Sequence, residues 1–139
     1  MVAYFDASAF LKIVIVEPGS QAAHDTWLAA SRRVSSRLLY PEARAGLARA
    51  RRMERIDVRA LDYARDTIEE YVTDVDLLEV TPSIARRAGD LAEEHGLRAY
   101  DAVHLATLDA VADDDTVLVS TDGDLVRAAR SHGLAAAAL

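Results

Sequence analysis

The chain has no cysteine and only one lysine, Lys12, among its 139 residues. Without cysteine there are no disulfides, no thiolate zinc sites and no cysteine nucleophile. No apolar run approaches the ~20 residues of a membrane-spanning helix; the stretch Phe10–Val16 is short and contains Lys12. The start, Met1–Asp6, lacks a basic segment followed by a long apolar one, so an unprocessed, cytoplasmic chain without membrane association is expected. P-loop, GxGxxG, GxSxG and HExxH patterns are all missing, as are internal repeats and linkers.

What is present is an ordinary globular composition, 51% apolar and 28% charged, in a length that predicts one domain over residues 1–139 with a sizeable core. The net charge of −7 argues against wrapping nucleic acid with the whole surface. The charge is uneven. Between Ser31 and Ala60 nine arginines face only Glu42, Glu54 and Asp57, a local balance of +6 that leaves −13 for the remainder. At 3.6 residues per turn Arg44, Arg51 and Arg55 fall on one stripe, with Glu42 nearly opposite. That stripe reads as a solvated or partner-binding face, with RNA contact as the lesser alternative. No aromatic residue interleaves with these arginines to stack on bases.

Apolar periodicity and punctuation predict strands alternating with helices. Val2–Phe5 reads as a buried strand and Ala7–Val16 as a helix, with a break at Glu17–Ser20. Ser20 is expected to cap a helix to about Ala30. Arg33–Ser36 is a short strand, and Pro41 suits the first turn of a helix reaching about Glu54. Asp57 caps a helix from Val58 to about Tyr71. Leu77–Val80 is a strand, and Thr81-Pro82 opens a helix that stops at Gly96. A helix over Tyr100–Ala112, a strand over Thr116–Ser120 and a helix over Asp122–Ser131 follow. The alanine tail is either a weak last strand or a frayed end. The alternation predicts an α/β fold with a mostly parallel sheet.

Within this plan, acids stand at the seams. Asp6 and Asp122 follow strands, and Glu42 and Asp101 open helices. All four can face the carboxyl edge of the sheet, where open parallel sheets bind ligands. Carboxylates about 5 Å apart repel by roughly 3 kcal/mol per pair at an effective dielectric near 20. A divalent cation relieves that repulsion, and oxygen-only ligands favour Mg²⁺ or Mn²⁺ and phosphodiester chemistry. Helix capping is the competing account. An acid in a first helical turn contributes about 0.3–1 kcal/mol against the macrodipole, and Asp122 stands where an N-cap would. Spacing alone leaves the two readings level.

Four blocks carry a resemblance. They are Val2–Phe5 followed by Asp6-Ala7-Ser8-Ala9-Phe10-Leu11-Lys12; Ser35-Ser36 with Leu39-Tyr40-Pro41-Glu42-Ala43-Arg44; Leu97-Arg98-Ala99-Tyr100-Asp101-Ala102-Val103-His104; and Leu118-Val119-Ser120-Thr121-Asp122-Gly123-Asp124-Leu125. In this order, over nearly the whole chain, they resemble the PIN-domain family, and within it the VapC-type toxins. The resemblance implies a three-layer α/β/α fold around a central, mostly parallel sheet. It also implies a ribonuclease toxin of a type II toxin–antitoxin pair that uses Mg²⁺ or Mn²⁺ to cleave RNA. Its partners would be a VapB-type antitoxin, docked over the active site, and a second copy in a homodimer. The family's four acids match Asp6, Glu42, Asp101 and Asp122, and Asp124 matches a further acid. Asp6, Asp101 and Asp122 are then expected around the metal. Glu42 would bind it through water or orient the attacking water, and Asp124 would hold a second metal or serve as an outer ligand. Ser8 and Ser120 would orient carboxylates. Pro41 before Glu42 departs from the family's pattern and bears on the angle at which Glu42 enters the site.

His104, one turn after Asp101, is expected to be packed rather than catalytic, and His24, His95 and His132 show no metal-ligand spacing. Lys12 either reaches a phosphate or snorkels. Two other functions compete. One is a catalytically silent PIN fold used as a binding module. The other is phosphoryl transfer through Asp6, as in haloacid-dehalogenase-like phosphatases or receiver domains. Ser8 stands where those phosphatases carry a second Asp, and no lysine follows Lys12 to meet the phosphate.

Overall fold

A computed structural model describes residues 1–139. In chain order its elements are β1 (Val2–Phe5), α1 (Ala7–Val14), α2 (Ser20–Ala29), β2 (Arg32–Ser36), α3 (Leu39–Arg52), α4 (Val58–Val72), β3 (Asp76–Leu78), α5 (Pro82–His95), α6 (Ala99–Val111), β4 (Thr116–Ser120), α7 (Gly123–Ser131) and β5 (Ala135–Ala138). All four strand pairings are parallel, in the order β3-β2-β1-β4-β5. The chain builds outward from β1 through β2 and β3, then crosses to β4 and β5 on the other side. This reversal beside β1 is where an open parallel sheet forms its ligand crevice.

Alternation along β1 creates the layers. Ala3 and Phe5 join a buried cluster with Phe10, Trp27, Leu39, Leu47 and Ile68, from α1 to α4. Tyr4 points the other way, into a cluster with Leu91, Leu105, Leu108 and Leu125, from α5 to α7. Helices thus cover both faces, giving the three-layer α/β/α architecture that the strand–helix alternation and the resemblance imply. Phe5 and Trp27 meet edge-on at 5.3 Å, as do Trp27 and Tyr71. Burial contributes roughly 1.5–3 kcal/mol per large side chain, so the end of β1 that carries Asp6 is firmly anchored.

Local chemistry sets the boundaries, and some differ from expectation. Ser20 is the first residue of α2, not its cap; Gly19 holds the cap position. The Ser20 hydroxyl instead accepts from the Glu17 amide and donates to the Ile15 carbonyl, fastening the preceding turn. α3 stops at Arg52, two residues early. Glu54 takes a left-handed φ of 57° and the Arg55 amide bonds back to the Ala50 carbonyl at 2.9 Å. Arg55 therefore leaves the helical stripe of Arg44 and Arg51 and lies 3.8 Å from Glu17. β3 begins at Asp76, and the alanine tail is a true edge strand. Gly46 lets α1 and α3 pack closely, because a side chain there would collide with Leu11 Cδ1. The helix that starts after Asp6 and the helix that carries Glu42 are thereby brought together.

Candidate functional site

Asp6 ends β1 and is only 4% exposed. Its carboxylate is saturated with donors. The Ser8 hydroxyl lies 2.8 Å from Oδ1 and 2.9 Å from Oδ2, the Ala9 amide donates to Oδ1 at 2.9 Å, and the Ser120 hydroxyl donates to Oδ2 at 2.6 Å. Ser8 also accepts from the Thr121 amide at 3.0 Å and Ser120 from the Asp122 amide at 2.9 Å. The two serines therefore stitch the end of β1 to the end of β4. Burial pushes the Asp6 carboxyl above its ordinary range, against the opposing pull of Ser120, the Ala9 amide, His104 and Ser8.

Asp122 uses both oxygens for different purposes. Oδ1 caps α7, accepting from the amides of Asp124 and Leu125 at 2.9 and 3.0 Å. Oδ2 faces the cleft and accepts from Arg98 Nη2 at 3.0 Å. Asp6 likewise caps α1 with one oxygen. The rivalry between cap and ligand dissolves here, since a carboxylate has two oxygens and a cap needs one. Asp101, in the first turn of α6, caps nothing. Its Oδ2 accepts from Arg98 Nε at 3.0 Å. Desolvation raises the Asp101 carboxyl most, Arg98 opposes this, and the like charge of Asp122 adds to the rise. One guanidinium thus spans two of the candidate acids.

Glu42, in the first turn of α3, is held from across the molecule. Its Oε2 lies 2.6 Å from His104 Nε2, and His104 Nδ1 lies 3.0 Å from the Tyr4 hydroxyl. The histidine is packed, as expected, yet its ring also reaches the site. Burial raises the Tyr4 hydroxyl far above its ordinary value, so it stays protonated.

These groups share one cleft of about 470 Å³ lined by Asp6, Ser8, Glu42, Arg49, Arg98, Asp101, His104 and Asp122 among others. Asp124 lies outside it, 68% exposed and paired with Arg127. Lys12 is also outside, its ammonium 3.1 Å from Glu17, in agreement with the snorkelling alternative. One sequence expectation needs correction. His95 and His132 show no ligand spacing in sequence, but the fold brings Glu94, His95 and His132 to within 4.8 Å of one another.

Residues 3–131 match the PIN domain family model. The chain is 40% identical over 130 residues to Ribonuclease VapC45 and Ribonuclease VapC49 of Mycobacterium tuberculosis, covering 94% of this chain and 90% of each relative. The chain belongs to the PIN-domain family, in its VapC-type branch. Among solved structures, VapC20 of M. tuberculosis, a sarcin-ricin loop cleaving toxin, superposes with a TM-score of 0.69 at 19% identity, over 91% of this chain and 94% of that one. A toxin–antitoxin complex from Klebsiella pneumoniae gives 0.62 at 18% identity, over 86% of each chain.

In this PIN domain the carboxylates suit a divalent cation. The donors are all oxygen, and Arg98 bridges Asp101 and Asp122 with its positive charge. No three of the acids that line the cleft bring oxygens within 4.8 Å of one another. Sequence reasoning missed Arg98 altogether and underrated His104. The available signals were the three-residue spacings from Arg98 to Asp101 and from Asp101 to His104, each of which makes a pair of neighbours on a helix, with Asp101 common to both.

Proposed function

We propose that this protein is a divalent-cation-dependent endoribonuclease, a single PIN domain over residues 1–139 acting as the toxin of a type II toxin–antitoxin pair. The observation that carries this reading is the arrangement of Asp6, Asp101 and Asp122 at the switch point, where Arg98 is the one arginine paired with them. The ribonuclease names of VapC45 and VapC49, at 40% identity, support the same reaction class.

Asp6, Asp101 and Asp122 would hold the ion. Bound Mg²⁺ or Mn²⁺ supplies Lewis acidity, lowering the pKa of a water and offsetting charge on the phosphate oxygens. Glu42 accepts a hydrogen bond from the attacking water and sets its direction. Ser8 and Ser120 keep the Asp6 oxygens fixed. Arg49 and Arg52, which line the same cleft, meet phosphates flanking the scissile one. Asp124 is turned towards Arg127 and enters only after a change of rotamer. A VapB-type antitoxin and a second copy of the chain are the proposed partners, and the toxin–antitoxin neighbour supports the first of these.

The test is cleavage of RNA by purified protein with Mg²⁺ or Mn²⁺, with EDTA, and in the Asp6→Asn variant. Activity confined to the metal-loaded wild type is expected. Cleavage that persists with EDTA or in the variant refutes the proposal. Tight antitoxin binding without metal-dependent cleavage would point instead to a silent binding module.

A further inference from the structure

We infer that His104 is a positioning residue for Glu42, the middle of a buried relay that runs from Tyr4 through the imidazole to the wall of the cleft. The inference rests on the nuclease reading of that cleft and adds a residue that reading does not require.

Glu42 is the one acid of the four whose side chain has no donor close to it in sequence. Asp6 is held by Ser8 and the Ala9 amide, Asp122 by two amides of the helix it caps, and Asp101 by Arg98 three residues away. Glu42 carries the longest side chain of the set, is 23% exposed, and is fixed at its tip by His104 alone, at 2.6 Å. The ring that does this cannot wander. It is 2% exposed, meets the Tyr4 ring edge-on at 5.9 Å, and has its far nitrogen 3.0 Å from the Tyr4 hydroxyl. A carboxylate only accepts, so Nε2 must carry a hydrogen, which in a neutral ring leaves Nδ1 to accept from Tyr4. Tyr4 belongs to the central strand that ends in Asp6. The relay thus refers Glu42 to the same rigid strand that places Asp6, although α3 alone delivers Glu42. Such outer partners of ligating groups typically govern about 10–100-fold in metal affinity or activity.

The test uses the whole protein and two readouts. In metal-free wild type, ¹⁵N correlation spectra of the imidazole are expected to show a hydrogen on Nε2 of His104. A bare Nε2 overturns the inference. Calorimetric titration with Mn²⁺ and steady-state cleavage then compare His104→Leu with His104→Gln, whose amide can still donate to Glu42. His104→Leu should weaken Mn²⁺ binding or lower kcat by roughly 10–100-fold, with the KM for RNA changed by less than about threefold. His104→Gln should recover much of the loss. Wild-type affinity and kcat in His104→Leu refute the positioning role alone. A wild type that neither binds Mn²⁺ nor cleaves RNA refutes the nuclease reading and this role with it. Should the leucine variant fail to fold, the wild-type spectrum and the glutamine variant still decide.

Discussion

Two clusters of potential ligands occupy this molecule, and they differ in how their charge is balanced. One is the acidic cleft where α6 and α7 begin. The other, around the end of α7, gathers Glu94, His95 and His132 with Arg87 and Asp109. Proximity alone favours the histidine cluster as a metal site, since its three ligand atoms already lie within 4.8 Å. Its chemistry says otherwise. His132 Nε2 is 3.0 Å from Arg87 Nη2 and 3.2 Å from Asp109, and Arg87 is 3.3 Å from Asp109, so the cluster balances its charge internally. In the cleft, four carboxylates share the lining with Arg49, Arg52 and Arg98, of which only Arg98 is paired with them, and burial holds Asp6 and Asp101 above the ordinary carboxylate range. Desolvated acids with few paired cations, more than closeness, set the cleft apart from the histidine cluster.

The sharpest way to break this comparison is to disarm each cluster in turn. Asp101→Asn should lower RNA cleavage by more than ~100-fold, beyond the effect typical of an outer partner. His132→Ala should leave it within about twofold, since no contact links that ring to the cleft. Equal losses in initial-rate assays would erase the distinction. Binding supplies a second measure. At a hundredfold excess over Kd, Mg²⁺ or Mn²⁺ should stabilise the wild type by about 2.7 kcal/mol, read as a rise in Tm. Asp101→Asn should lose most of that rise and His132→Ala should keep it.

Arg98 tests whether the cleft's charge imbalance is real. Its guanidinium is 65% exposed, so its pairing with Asp101 and Asp122 is screened and contributes on the order of 1 kcal/mol or less. Arg98→Ala should slightly destabilise the metal-free protein while tightening Mn²⁺ binding several-fold, because the ion no longer competes with a resident cation. Weaker Mn²⁺ binding in this variant would show that Arg98 organises the acids for the ion and does not stand in its way.

Much of this architecture is legible in the chain, and the gaps have physical causes. Val2–Phe5 with Asp6, and Thr116–Ser120 with Asp122, announce themselves because a short apolar run that stops at an acid marks both a buried strand and its exposed end. Ser8 and Ser120 are legible for the same reason, lying within two residues of the acids they serve. Three features escape. The end of α3 depends on a left-handed residue at Glu54, a non-glycine position that no propensity signals, and with it goes the Arg55 end of the arginine stripe. The bond from His104 to Glu42 spans 62 positions and exists only because α3 and α6 meet across the sheet edge. Arg98 is exposed, so its role depends on which carboxylates surround it.

The smallest predicted effect concerns the strain of holding Asp6 where it is. Burial raises its folded-state pKa above that of the unfolded chain. Its favourable contribution is therefore complete below the unfolded value, near 3.9, and is lost as pH rises through the folded value. In EDTA at neutral pH, Asp6→Asn, neutral throughout, should be more stable than wild type, read as a higher Tm. The gap should close as the pH falls towards 4. Adding Mg²⁺ should reverse the order, since only the wild type gains an ion. The opposing effect is loss of charge-assisted bonds from Ser8, Ser120 and the Ala9 amide. If Asp6→Asn proves less stable than wild type in EDTA, those donors outweigh burial, and the cleft's need for a cation rests on Asp101 and Asp122 instead.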